Sequence, residues 1–301
     1  MIRIISLFSL ILSAGTASAV ILSWDNFTTT VIQGVATTED GLTYRNDVEL
    51  IDTFTAGGTE YINIIGYKLT SAEFLAEPTL SSIYYERTNQ PNEFTSRKLT
   101  SIYDAFENSL EVGAGSDTTF ELVSSLVFTN PQGTLISGTL GLTQAGLSVV
   151  ERGGNDTDFT VRAVTAIDSS GVATDFSAPV FINSVDPFGP DIVGQMRNYA
   201  VYDSLTTDGL GPYSKFDITA SQNIGGIFIT FDTFGIEIGT IVYGYEISAS
   251  TDSGLDLLAG AATFSNELIT QGELIIVPEP ATVSLLLGII CLLGTVARKA
   301  K

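Results

Sequence analysis

Phe159-Thr160-Val161-Arg162-Ala163-Val164-Thr165-Ala166-Ile167, followed by Asp168-Ser169-Ser170-Gly171, is the stretch that decides the fold class. Side chains of an extended chain alternate between two faces, so Phe159, Val161, Ala163, Thr165 and Ile167 share one face. Thr160, Arg162, Val164 and Ala166 share the other. The four residues that follow are turn formers, and the apolar pattern stops there. The same alternation recurs downstream, where Ile227, Ile229 and Phe231 alternate with Phe228, Thr230 and Asp232. Ile241, Tyr243, Tyr245 and Ile247 likewise alternate with Val242, Gly244, Glu246 and Ser248. Further period-two runs cover Tyr61 to Leu69 and Phe120 to Phe128, and Gly153-Gly154-Asn155-Asp156 supplies another turn.

Many short strands separated by turn residues argue for an antiparallel sandwich or barrel. The expectation is an all-β, sandwich-like body, and 29 glycines fit it. Helical periodicity is poor. Ser101 to Leu110 puts Ile102, Phe106 and Leu110 on one face and suggests one short helix, while Gln90 to Lys98 is polar and reads as a loop. Val185-Asp186-Pro187-Phe188-Gly189-Pro190 is the best internal boundary, because two prolines and a glycine interrupt strand pairing. It divides the body into 20–184 and 185–277, either as two units or as parts of one continuous domain. No period of 20–50 residues repeats, which argues against a solenoid or propeller.

The two ends differ from the body. Met1-Ile2-Arg3 is a short basic start, Ile4 to Leu12 is an apolar run broken by Ser6 and Ser9, and small residues end in Ala17-Ser18-Ala19. That order is a secretory signal peptide, with Ala17 and Ala19 placing signal peptidase cleavage after Ala19. At the other end Val277-Pro278-Glu279-Pro280 precedes the uncharged stretch Ala281 to Ala297, then Arg298-Lys299-Ala300-Lys301. A helix over 281–297, at ~1.5 Å per residue, spans about 25 Å against a hydrocarbon core of about 30 Å, within the usual range for a transmembrane helix. Arg298, Lys299 and Lys301 stop it at the headgroups and, being basic, stay on the cytoplasmic side. The body is thereby expected outside the inner membrane, held by its C-terminus. Pro278 and Pro280 fix φ and hold the residues before them extended, so the motif stays out of the helix.

Motif, apolar helix and basic end, in that order over about the last 25 residues, resemble the PEP-CTERM sorting signal of Gram-negative bacteria. The resemblance implies recognition by an exosortase, a membrane-embedded transpeptidase-like enzyme, with Pro278, Glu279 and Pro280 as the sorting motif. It also implies an association with exopolysaccharide-producing surfaces and biofilm, and a final location in the cell envelope or outside the cell. The basic cluster here is sparser than the arginine run of many such tails. Within the body, Val149 to Phe159 with Ile167 to Gly171, Gly225-Gly226-Ile227, and Ile241 to Glu246 are similar to stretches of other exported proteins with this tail. That likeness brings no activity with it.

Composition narrows the function classes. Between residues 20 and 277 nine basic residues face 33 acidic ones, a formal charge of −24. Such a surface repels nucleic acid and favours divalent cations and cationic partners. The lone cysteine, Cys291, lies in the apolar tail, so the body has no disulfide although export would permit one. Histidine is absent, which removes Ser-His-Asp and Cys-His nucleophile systems and His-ligated zinc.

Three candidate sites remain in the body. Gly153-Gly154-Asn155-Asp156-Thr157-Asp158 is oxygen-rich and glycine-permissive, so Asn155, Asp156 and Asp158 are candidate calcium ligands. The same residues also make an ordinary turn, with Asn and Asp bonding their own backbone. Paired carboxylates hydrolyse glycosides without histidine, but 33 acidic residues make some pairs inevitable. Trp24 is the lone tryptophan, and Tyr243 and Tyr245 read as core, so no sugar-stacking strip stands out. Asn26-Phe27-Thr28 and Asn155-Asp156-Thr157 match the N-glycosylation pattern, which is frequent by chance. The expectation is a non-enzymatic, exported surface or matrix protein with a structural or adhesive role, no required cofactor, and extracellular polysaccharide as a candidate partner. A carbohydrate-active enzyme using a carboxylate pair and a calcium-dependent carbohydrate-binding module are the rivals.

Overall fold

The computed structural model describes residues 21–33, 37–39, 42–44, 48–74, 84–88, 109–110, 115–117, 123–152, 158–183, 196–203, 215–249, 258–263 and 266–278. The first half of the chain contributes strands β1 (Ile21–Ile32), β2 (Thr37–Glu39), β3 (Leu42–Tyr44), β4 (Val48–Ala56), β5 (Thr59–Ile65), β6 (Lys68–Phe74), β7 (Tyr84–Thr88), β8 (Gly115–Asp117) and β9 (Val123–Ile136). A short helix α1 (Thr139–Gln144) leads into β10 (Ala145–Arg152), β11 (Phe159–Ile167), β12 (Ala173–Phe176) and β13 (Val180–Ile182). The remainder forms β14 (Met196–Asp203), β15 (Lys215–Thr230), a 3-10 turn at Phe231–Phe234, β16 (Ile241–Ala249), β17 (Leu258–Thr263), helix α2 (Asn266–Thr270) and β18 (Leu274–Ile276).

The described strands form two antiparallel sheets and a β2–β3 hairpin, the all-β, sandwich-like architecture that the alternation predicts. The larger sheet runs β1-β4-β5-β17-β10-β15-β14-β7-β8, and β1 also pairs with β15. That extra pairing curls six of its strands into a closed ring. The seam is short, consisting of Ile21↔Ile229, Leu22↔Phe228 and Ser23↔Ile227, after which β1 leaves β15 and pairs with β4. The second sheet runs β12-β11-β16-β9-β18, with β13 on β11 and β6 on β9. Segment 184–190 lies outside the described residues. Strands from its two sides pair with each other in both sheets: β15 with β10, β17 with β5, and β16 with β9 and β11.

Two cores follow from the ring. Ile227, Ile229, Leu147 and Val149 face the second sheet and pack with its Leu126, Phe128, Phe159, Val161, Val242, Tyr245 and Ile247. The opposite faces of β10 and β15 send Val150 and Phe228 into the ring, where they meet Trp24, Phe27, Ile51, Phe54 and Tyr61. Strands covered on both faces read as continuous apolar runs, and Ile227-Phe228-Ile229 is one. Inside the ring Trp24 stacks on Phe54 at 4.3 Å between centroids, Phe54 on Tyr61 at 5.1 Å, and Tyr61 meets Phe228 at 4.2 Å.

Local details match and depart from the sequence pattern in informative ways. Phe159–Ile167 is a strand, with Phe159, Val161 and Ala163 fully buried. Asp168 caps the following turn, its Oδ1 accepting the N–H groups of Ser170 and Val172, and Gly171 takes φ +83°. The run from Tyr61 to Leu69 is two strands, because the chain crosses from one sheet to the other at Gly66-Tyr67. The run from Ile241 to Ile247 loses its phase at a bulge, where Val242 pairs with Thr134 but Gly244 pairs with Thr129. Tyr245 is therefore fully buried, whereas Tyr243 is partly exposed on the outer face. Of the expected helix at Ser101–Leu110 only Ser109 and Leu110 are described, as a turn that bonds to Tyr67 and Ile51.

Candidate functional site: the exit of the C-terminal segment

The last described residues are fastened to the body by a compact set of backbone bonds. Gly272, at φ +76°, turns the chain from α2 into β18. The Glu273 carbonyl accepts the N–H groups of Ser137 and Gly138 at 3.0 and 3.2 Å, and its carboxylate accepts the Leu140 N–H at 3.0 Å. That carboxylate sits at the first turn of α1, where amides lack helical partners. The Ser137 hydroxyl donates to the Gly272 carbonyl. Space is tight: a Cβ on Gly141 would overlap the Glu273 carbonyl oxygen. β18 then pairs with the end of β9 through Leu274↔Ile136, Ile275↔Leu135 and Ile276↔Thr134, with Leu274 fully buried.

The Val277 N–H donates to the Gly133 carbonyl at 2.8 Å, and Pro278 is exposed. Proline has no N–H, so Pro278 cannot extend the ladder. The first residue of the Pro-Glu-Pro stretch thus falls where hydrogen bonding to β9 stops. Glu279, Pro280, the segment 281–297 and Arg298, Lys299 and Lys301 lie outside the described residues, as do Ala17 and Ala19. Among the described residues no helix is long and apolar enough to cross a membrane. At the other end, β1 begins at Ile21, two residues beyond Ala19.

The candidate calcium ligands are only partly placed. Asn155 and Asp156 lie outside the described residues, and Asp158 is half-buried at the start of β11. Among the described residues no group of three or more carboxylate or cysteine side chains is placed to hold a metal ion. Glu246 is a buried carboxylate on the second sheet. It pairs with Arg162 and accepts from Ser125 Oγ at 3.2 Å, while Arg162 lies 4.3 Å from the centroid of the Phe176 ring. The Glu246 hydrogen bond holds the Arg162 guanidinium above its ordinary pKa. Trp24, 3 % exposed inside the ring, is not a surface platform for sugar. Asn26 and Thr28 are exposed on β1, and Phe27 between them is buried.

Sequence reading misses the face that surrounds the exit. Ile275, Leu135 and Ile241 are directly opposite one another across β18, β9 and β16. In the adjacent row Val277 bonds Gly133, and a Cβ on Gly133 would overlap Ile241 and meet the Tyr243 ring. These side chains lie on the outer face, since Leu274, Ile136 and Val242 occupy the core face. The missing signal is the bulge, which moves Tyr243 outward against the alternation. The chain matches no family model, no curated protein and no solved structure.

Proposed function

We propose that this chain is an exported cell-surface or extracellular-matrix protein, processed by an exosortase-like membrane enzyme, with a structural or adhesive body and no catalytic activity of its own. The observation that carries the reading is the junction at Val277-Pro278. A paired β-strand ends there, and an exposed proline opens the Pro-Glu-Pro motif ahead of seventeen uncharged residues and a basic end. A processing enzyme needs an extended substrate clear of the folded body, and the two prolines supply it. The acidic, disulfide-free body fits a soluble exterior module, and extracellular polysaccharide is its proposed partner.

Mass spectrometry of the mature termini, with cell fractionation, tests the reading. The expected protein begins at Val20, lacks 281–301 and is recovered from the envelope or the medium. A protein recovered from the cytosol with both residues 1–19 and Arg298–Lys301 intact would overturn it.

A further inference from the structure

We infer that the outer face around the exit, formed by Ile275, Leu135, Ile241, Tyr243 and Val277, rests on the membrane interface while the tail is uncut. This inference rests on the reading of residues 281–297 as a membrane-spanning segment. Ile275 is 44 % exposed at the edge-strand end of an apolar cross-strand row, and the row continues through Leu135 to Ile241. Tyr243 adds an aromatic ring with a polar tip beside Gly133, and Val277 brings the row to the point where the chain departs.

The length of the connection says what covers this face. Only Pro278, Glu279 and Pro280 separate Val277 from the uncharged segment. Three extended residues reach at most about 10 Å. The headgroup layer on one side of a bilayer is roughly 5–8 Å deep. A tether that short keeps Val277 at the membrane surface and the neighbouring rows within reach of the acyl-chain boundary. Tyrosine is a side chain that favours that depth. The contact is effectively intramolecular, so weak apolar burial suffices while the tether exists. Once the tail is removed, the same face has too little area to hold a body of charge −24 against a membrane. Processing is then also a release step, and the acidic body favours a zwitterionic over an anionic lipid surface.

Full-length chain carrying Cys291→Ser and one new cysteine, labelled with an environment-sensitive fluorophore and reconstituted in phosphatidylcholine vesicles, tests this. One label goes at Ile275→Cys. The other goes at Thr28→Cys, exposed on β1 and bonded to Thr53 of β4, the strand across the ring from β10. The expected result is a blue-shifted label at 275 with iodide quenching roughly threefold weaker than at 28, as burial at the headgroup depth implies. Equal quenching at the two positions in protein that floats with the vesicles overturns the inference and leaves the anchor intact. Protein that does not float overturns both. Shielding at 275 that fades on dilution into excess lipid assigns the face to a second copy of the chain, which also overturns it.

Discussion

Gly226 lies opposite Val150 on β10, and a side chain there would overlap the indole of Trp24. The indole is held between the wall of the ring and Phe54, so it has nowhere to move. Gly226→Ala is expected to destabilise the mature protein by about 1–3 kcal/mol, the usual cost of overpacking a core. Trp24 is the single tryptophan, so its emission during urea unfolding reads the ring directly, and an unchanged midpoint would refute the close approach. Tyr67 poses a different problem, at the crossing between the two sheets. Its hydroxyl is buried without a hydrogen-bond partner among the described residues, and burial raises its pKa above the ordinary 10.0. The folded state keeps this proton after the unfolded state has lost it. The contribution to stability is therefore whole below pH 10 and is lost as pH rises from there towards the raised folded value, by up to about 1.4 kcal/mol per pH unit. Tyr67→Phe removes an unsatisfied buried group, so it is expected to leave stability at pH 7 unchanged or raised by about 1 kcal/mol. It should also flatten the alkaline decline relative to the parent, as measured by urea midpoints between pH 9 and 11. A loss of stability at pH 7 in that variant would show that the hydroxyl has a partner.

At the scale of elements, the ring depends on its seam. Ile21, Leu22 and Ser23 are the whole of the β1–β15 pairing, and Leu22 also packs on the aromatic core. Deleting residues 20–23 is expected to open the ring at a cost of about 2–4 kcal/mol, from lost ladder bonds and one lost apolar side chain. Hydrogen exchange at Ile227, Phe228 and Ile229 checks it, with faster exchange on β15 than on β16 as the expected pattern. No seam can be read from local pattern, because the partner strands are about 200 residues apart in sequence and alternation reports a face, not a neighbour. What alternation reports holds over the first half of β11, although Val164 on the opposite face is also fully buried and Thr165 and Ile167 are only partly so. Phe159–Ile167 buries Phe159, Val161 and Ala163, and Asp168-Ser169-Ser170-Gly171 turns the chain because the Asp168 carboxylate meets two backbone amides. It fails at Tyr243, where the register breaks: Val242 pairs with Thr134 but Gly244 with Thr129, so one residue of β16 faces four of β9. That bulge is tied to the carbonyl of Phe128, against which only a residue without a Cβ fits at Gly244. The exit junction is legible for the converse reason, since a missing N–H belongs to proline itself and needs no knowledge of the partner strand. The apolar rows beside it are not, because they exist only once β18, β9 and β16 are aligned.

The whole molecule joins an acidic double-cored body to an apolar tail through three residues, and the tail can be altered without touching the body. Leu286 and Ile289 lie near the middle of 281–297. On the proposed reading of 281–297 as a membrane-spanning segment, replacing both by Asp would place two charges near the centre of the bilayer, at about 2.5–3.5 kcal/mol each, or roughly 5–7 kcal/mol if additive. A segment of seventeen residues has little spare apolar length to offset that. The double variant is expected to leave the membrane fraction and accumulate as soluble, unsorted protein. Changing Pro278, Glu279 and Pro280 to alanine acts on a different step. The apolar segment is untouched, so insertion persists, but alanine permits the helix to extend back towards Val277 and restores the N–H groups that the prolines lack. If the proposed processing depends on the Pro-Glu-Pro stretch being extended, the triple variant is expected to remain in the membrane with its tail uncut. Immunoblots of membrane, soluble and extracellular fractions, with a tag placed after Lys301, separate the two outcomes. Normal maturation of the triple-alanine protein in cells that hold an exosortase would show that the motif is not a recognition element, and the tail would then act as an anchor alone.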